Sequence, residues 1–226
     1  MPSLESRLVV VTDRQQTNGR PLLSVLMDAL KAGKLTIQLR ERDLGAKDLC
    51  ALAEAIQQMT KPSESQLVIN DRLDVALSLE QVGGHLRSNS LPVSMARRVL
   101  GAHRLLGVSV HSVSEAVEAE AGGADYVVLG PIYETPSKQM YGPPLGLSTL
   151  EEAVASVRLP VIGIGGVTAA RARDMRLAGA FGVAVITAVL GAKHVEAATR
   201  ALLDAVTPAS SSTVDGDSTR RNSPSS

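Results

Sequence analysis

The sequence predicts a single (β/α)8 TIM barrel, class α/β, on three observations. Short β-branched apolar runs alternate with Ala-rich stretches at helical spacing, the pattern of a parallel sheet wrapped by helices. Eight such runs fit between Leu8 and Ile186 without a large insertion, which favours closure over a doubly wound sheet. Hydrophobic residues reach 44% while aromatics stay at 2%, so the core must be Val, Ile, Leu and Ala, the filling a barrel interior favours.

The strands are expected at residues 8–12, 35–39, 66–69, 82–86, 105–110, 126–129, 161–164 and 182–186. Successive strands are about 20 to 30 residues apart, the length of a compact βα unit. After the first strand, Leu22, Val25, Leu26, Ala29 and Leu30 make an apolar helical stripe; after the second, Leu49, Leu52, Ala53 and Ile56 make another. Segment 71–81 is short for a full helix. Ala116, Val117, Ala119 and Ala121 mark the helix after the fifth strand, and Val195, Ala198, Leu202 and Leu203 the last one. Composition then shifts. Residues 208–226 are mostly Ser, Thr, Pro, Asp and Arg, too polar to offset the entropy of ordering. The expectation is a barrel over 1–207 and a disordered tail over 208–226.

Several classes fall away. Formal net charge is zero and aromatics are scarce, so neither an electrostatic footprint nor stacking platforms for nucleic acid are expected. The single cysteine, Cys50, sits in a helical stretch and reads as an inert thiol. No run of about 18 apolar residues predicts a membrane span. Glu5 and a strand starting at Leu8 do not fit a signal peptide, so the cytoplasm is the expected location.

Chemistry gathers where the strands end. Gly165 and Gly166 follow the seventh strand, and Ile186-Thr187 close the eighth. Loops after these two strands form the recurrent phosphate site of this fold, although a ligand-free tight turn also explains the glycines. In the second strand Gln38, Arg40 and Arg42 share a face. An Arg there is costly unless it meets an anion or pairs with Glu41 or another carboxylate. Asn70-Asp71 end the third strand; Asp71 can bind Mg2+ or cap the next helix. His85-Leu86-Arg87-Ser88 end the fourth. Ser109 and His111 face the same way on the fifth, and His111 is the group there able to move protons near neutral pH. His85 and His111 lack a third ligand, so no zinc site is expected. His103 and His194 read as surface residues. The long loop 130–144 offers donors from Thr135, Ser137 and Lys138.

These residues resemble the thiamine-phosphate synthase superfamily over about 8–206. The likeness rests on Gln38-Leu39-Arg40-Glu41-Arg42, Asn70-Asp71-Arg72-Leu73-Asp74, Gly107-Val108-Ser109-Val110-His111-Ser112, Ala124-Asp125-Tyr126 through Thr135, and Gly163-Ile164-Gly165-Gly166-Val167-Thr168. Within it the chain looks closest to the TenI-type thiazole tautomerase branch. For the synthase the resemblance implies two Mg2+-binding aspartates, after the third and fourth strands. Asp71 matches the first. The second falls at Ser90, the usual Lys after the strand-two Arg is Arg42, and the expected Gly-Gln after His85-Leu86 is Arg87-Ser88. These departures weigh toward the tautomerase, which aromatises a thiazole carboxylate phosphate by proton transfer and needs no cofactor. On that reading His111 is the acid/base and Arg40 neutralises the carboxylate. Thr135, Ser137 and Lys138 surround the thiazole with Gln38, Arg42, Asn70 and Ser109. Gly165, Gly166, Ile186 and Thr187 hold the phosphate. The alternative is the synthase, coupling hydroxymethylpyrimidine diphosphate to thiazole phosphate with Mg2+ at Asp71; Ser109 and Lys138 match its substrate contacts. A third reading is a non-catalytic regulator that binds thiazole phosphate. Superfamily members are often dimers, so a homodimer is compatible with the resemblance.

Overall fold

The computed structural model describes residues 2–135 and 143–207. The expected tail over 208–226 lies outside the described residues.

Eight strands form one closed parallel barrel: β1 (Leu8–Val11), β2 (Thr36–Leu39), β3 (Gln66–Asn70), β4 (Gly83–Leu86), β5 (Leu106–Val110), β6 (Tyr126–Leu129), β7 (Val161–Ile164) and β8 (Gly182–Val185), with β8 pairing back to β1. Each lies within a residue or so of its expected run, because a parallel strand buried on both faces is continuously apolar and ends where polarity starts. Arg7 fastens the closing seam. Its Nη1 donates to the Phe181 carbonyl at 2.7 Å, and its guanidinium stacks 4.5 Å from the Phe181 ring centroid.

Strand alternation divides the core in two. Val9, Val11, Val68, Tyr126, Val128, Ile162 and Ala184 pack together in the lumen. Leu8, Val10, Ile37, Leu39, Ile69, Leu86, Leu106, Val110 and Leu129 pack outward against the helices. By the same alternation Gln38, Asn70, His85 and Ser109 belong to the lumen set. The helices are α1 (Leu22–Leu30), α2 (Ala46–Thr60), α3 (Leu73–Leu77), α4 (Val93–Leu100), α5 (Val113–Ala121), α6 (Gly146–Ser156), α7 (Ala169–Leu177), α8 (Thr187–Leu190) and α9 (Val195–Val206). Side-chain caps start two of them: Ser112 accepts from Glu115 N–H and Thr168 from Arg171 N–H. Cys50 is half-buried on α2, with Sγ 3.8 Å from Ser78 Oγ.

The short segment after β3 is the five-residue α3. Asp71 does not cap it. The N-cap position is Arg72, which makes no side-chain cap bond, and Asp71 stands before it with φ 66°. That left-handed turn frees the Asp71 carboxylate for the barrel mouth. Among the described residues no helix is long and apolar enough to cross a membrane.

Candidate active site

The top of the lumen is a hydrogen-bonded polar layer. Gln38 Nε2 donates to Asn70 Oδ1 at 3.0 Å. His85, with no exposed surface, lies 3.0 Å by Nδ1 from the Tyr126 hydroxyl and 2.9 Å by Nε2 from Ser109 Oγ. Burial pushes the imidazole down to about 3, and burial together with Asp125 pushes the Tyr126 phenol up. All three groups are therefore neutral near pH 7, and His85 positions Ser109 without carrying charge. Gly107 makes room for this chain: a Cβ there would lie 2.1 Å from Tyr126 Cζ.

Above this layer the strand ends carry charge. The Arg40 N–H donates to Thr12 Oγ1 at 2.9 Å, which fixes its backbone beside β1. Its side chain is 21% exposed, and its nearest carboxylate, Asp13, stands off at 4.0 Å. Glu41 is not its partner. Glu41 instead accepts from Arg14 N–H at 3.2 Å and from Arg14 Nη1 at 3.3 Å. Burial and the charge of Arg42 lower the Arg40 pKa; Asp13 and Glu41 oppose them, and Arg87 adds to the lowering. The expected shared face of Gln38, Arg40 and Arg42 ends at Arg40, because β2 stops at Leu39 and Arg42 lies exposed on the loop. Arg40, Arg42, Asn70, Asp71, Arg72 and Arg87 line one cavity of about 230 Å³ at these strand ends.

Asp71 is saturated by its own chain. Oδ2 accepts from Arg87 Nε at 2.9 Å and also from Arg87 Nη2, and Oδ1 accepts from the Ser90 hydroxyl. Burial alone would raise this carboxyl, but the bonds from Ser90 and Arg87 and the charges of Arg87 and Arg42 hold it below the usual value. A magnesium pair does not fit these residues. Mg2+ seeks carboxylate oxygens in near-octahedral array. Here one carboxylate has both oxygens engaged and the second position is a hydroxyl. Among the described residues no group of three or more His, Cys, Asp or Glu could hold a metal.

His111, at the end of β5, is exposed; its Nδ1 lies 2.6 Å from the Gly130 carbonyl and its N–H donates to Glu115 Oε2 at 2.7 Å. Across the mouth, Ile132 N–H donates to Ile164 O at 2.8 Å, and Arg171 Nη1 donates to Gly166 O at 2.7 Å. Gly165 adopts φ 105°, and a Cβ on it would meet Pro131 Cβ at 2.7 Å. Packing of the β6 and β7 loops therefore requires this glycine whether or not a ligand is bound. Ile186 (φ −118°, ψ −84°) turns the chain directly into α8 at Thr187. Thr135 ends the described part of the β6 loop, while Ser137 and Lys138 lie outside the described residues.

Sequence reasoning placed Gln38, Arg40, Asn70, Asp71, Ser109 and His111 at one end of the barrel, and they are there. It missed Tyr126 and the grip of Arg87 on Asp71. The first had a signal in a mid-strand glycine, Gly107, which pairs in register with Tyr126. The second had none, since nothing local says that a side chain sixteen positions on will reach back.

Residues 8–189 match the family model described as thiamine monophosphate synthase. Thiamine-phosphate synthase of Roseiflexus castenholzii is 46% identical over 203 residues, 90% of this chain and 89% of the relative. That of Moorella thermoacetica is 42% identical over 209 residues, 92% and 99% of the two chains. A solved structure of thiamine phosphate pyrophosphorylase from Pyrococcus furiosus superposes with a TM-score of 0.80 at 33% identity, covering 88% of this chain and 95% of that one. A 3-hexulose-6-phosphate synthase structure, at 18% identity and a TM-score of 0.65, shares the fold alone.

These relatives overturn the tautomerase expectation. They are named as synthases at 40–46% identity, and nothing in the matches sets the chain in the TenI-type branch. The isomerase assignment goes with it, as do the roles of His111 as its acid/base and of Arg40 as partner of a substrate carboxylate. Ser90 and Arg87-Ser88 pointed the wrong way because each counted as a separate departure from the synthase, whereas Arg87 and Ser90 act together on Asp71.

Proposed function

The chain belongs to the thiamine monophosphate synthase family, and from that premise we propose that it joins hydroxymethylpyrimidine diphosphate to thiazole phosphate, releasing diphosphate. The observation that carries this reading is the convergence of Arg40, Arg42 and Arg87 on one cavity of about 230 Å³ at the carboxyl ends of the strands. Among the described residues Arg40 has no carboxylate closer than 4.0 Å. Such a cluster suits a polyanion, since guanidinium forks match phosphate oxygens.

In the proposed reaction the thiazole ring nitrogen gives its lone pair to the pyrimidine methylene carbon. The carbon–oxygen bond to the diphosphate breaks, and the leaving group takes that electron pair. Negative charge grows on the departing oxygens, where preorganised cations help most. Arg40, Arg42 and Arg87 take that role. Gln38, Asn70 and Ser109, each held by its lumen partner, orient the pyrimidine. Gly165, Gly166, Ile186 and Thr187 take the thiazole phosphate at the opposite rim, where α8 offers its first N–H groups. Thr135, and by the family resemblance Ser137 and Lys138, supply further substrate contacts. No step is assigned to His111.

Incubating the full chain with both substrates and following thiamine phosphate and diphosphate tests the reading. Equal, sustained release of both products is expected. Binding of both substrates without turnover would overturn it.

A further inference from the structure

We propose that Arg87 is a resident cation: its guanidinium, seated on Asp71, contacts the diphosphate directly, so that no divalent ion is loaded between Asp71 and position 90. The proposal rests on the reaction above only for the identity of the anion.

Two substitutions at one turn act together. A carboxylate at position 90 would stand within hydrogen-bonding reach of Asp71, and two such groups stay ionised only with a cation between them. Ser90 removes that need by donating a hydrogen bond to Asp71 Oδ1. Arg87 supplies the positive charge, with Nε 2.9 Å from Asp71 Oδ2. The turn itself locks the pair: Arg87 N–H donates to Ser90 Oγ at 3.0 Å, and Ser90 N–H donates to Arg87 O at 3.1 Å. A glycine at position 87, as the family resemblance implies there, could not make this bridge.

Arg87 is also free to do more than neutralise Asp71. A guanidinium has five donors in a planar fork. Nε and Nη2 turn to Asp71, and among the described residues Nη1 has no partner. The side chain is 40% exposed and lines the same cavity as Arg40 and Arg42. A divalent ion entering there would have to displace Arg87 from Asp71 against the charges of Arg40 and Arg42. A diphosphate meets only complementary charge.

The experiment uses the full chain and inorganic pyrophosphate, titrated calorimetrically in excess EDTA. Wild type should bind; Arg87→Ala should bind about tenfold more weakly or worse, and Arg87→Lys should recover part of the loss. In parallel, Mn2+ alone is titrated and followed by its paramagnetic resonance signal. Wild type should leave the ion free, and the double variant Arg87→Gly/Ser90→Asp should bind it. Thermal melts by circular dichroism select the folded variants. The proposal is overturned by stoichiometric Mn2+ binding to wild type that Asp71→Asn abolishes. It is equally overturned by an EDTA-resistant affinity that Arg87→Ala and Arg87→Lys leave unchanged, by pyrophosphate binding only when Mg2+ is added, or by a folded double variant that ignores Mn2+. If substrate coupling fails while the Arg87 dependence holds, the reaction assignment falls and the resident cation stands. If coupling proceeds with pyrophosphate affinity blind to Arg87, only this proposal falls.

Discussion

His85 enters the fold neutral and stays so. Its ordinary value of 6.5 falls to about 3 because the ring is wholly buried. The unfolded chain therefore binds a proton at mildly acidic pH that the native chain refuses. The stability this neutrality contributes is complete above the unfolded value of 6.5 and drains away as pH falls toward about 3. The slope should be about 1.4 kcal/mol per pH unit in that window. Urea unfolding between about pH 4 and 6 should show this slope in wild type and its loss in His85→Asn, after subtracting the shared background. Equal slopes would mean that His85 takes up a proton in the native state. Asp71 works in the same sense at lower pH: its depressed carboxyl stabilises the fold above the ordinary carboxylate value and loses that contribution as pH falls through its native one.

At the scale of elements, the mouth is two rims built differently. The β2–β3–β4 side is made of long cationic side chains on short loops. The β6–β7 side is made of backbone packed on backbone, with Pro131 against Gly165 and Tyr133 under the Arg171 guanidinium at 4.6 Å. Gly165→Ala adds both a disfavoured positive φ of 105° and a close approach of 2.7 Å to Pro131. It should cost about 1–3 kcal/mol in urea unfolding. It should also weaken thiazole phosphate binding while leaving pyrophosphate affinity intact. Parallel loss of both affinities would show that the rims are not independent.

For the molecule as a whole, formal charge sums to zero, with 23 basic and 23 acidic residues. That balance hides a local excess: Arg40, Arg42, Arg72 and Arg87 line one cavity at the end of the barrel, against Glu41 and Asp71 there and a distant Asp13. Pyrophosphate affinity should therefore fall severalfold between about 0.05 and 0.5 M KCl, as the Debye length shrinks. Arg40→Gln should flatten that dependence. Titrations at several salt concentrations check both, and an affinity indifferent to salt would argue against charge as the basis of recognition.

The eight strands were legible because a buried parallel strand writes itself as a continuous apolar run, and the lumen positions followed from alternation. Gln38 and Ser109 were found that way, and Asn70 as the end of its strand. Arg42 was misplaced because alternation was carried past Leu39, where the strand ends and the period with it. Sequence by itself determined the barrel, the end that bears the chemistry and the family. Tertiary structure alone decided what Asp71 does. Its partners come from positions 87 and 90, on the next βα unit, and only the parallel pairing of β4 with β3 sets these loops side by side so that a guanidinium and a hydroxyl can reach its two oxygens. A missing carboxylate is visible in one dimension; the cation that replaces it is visible only in three.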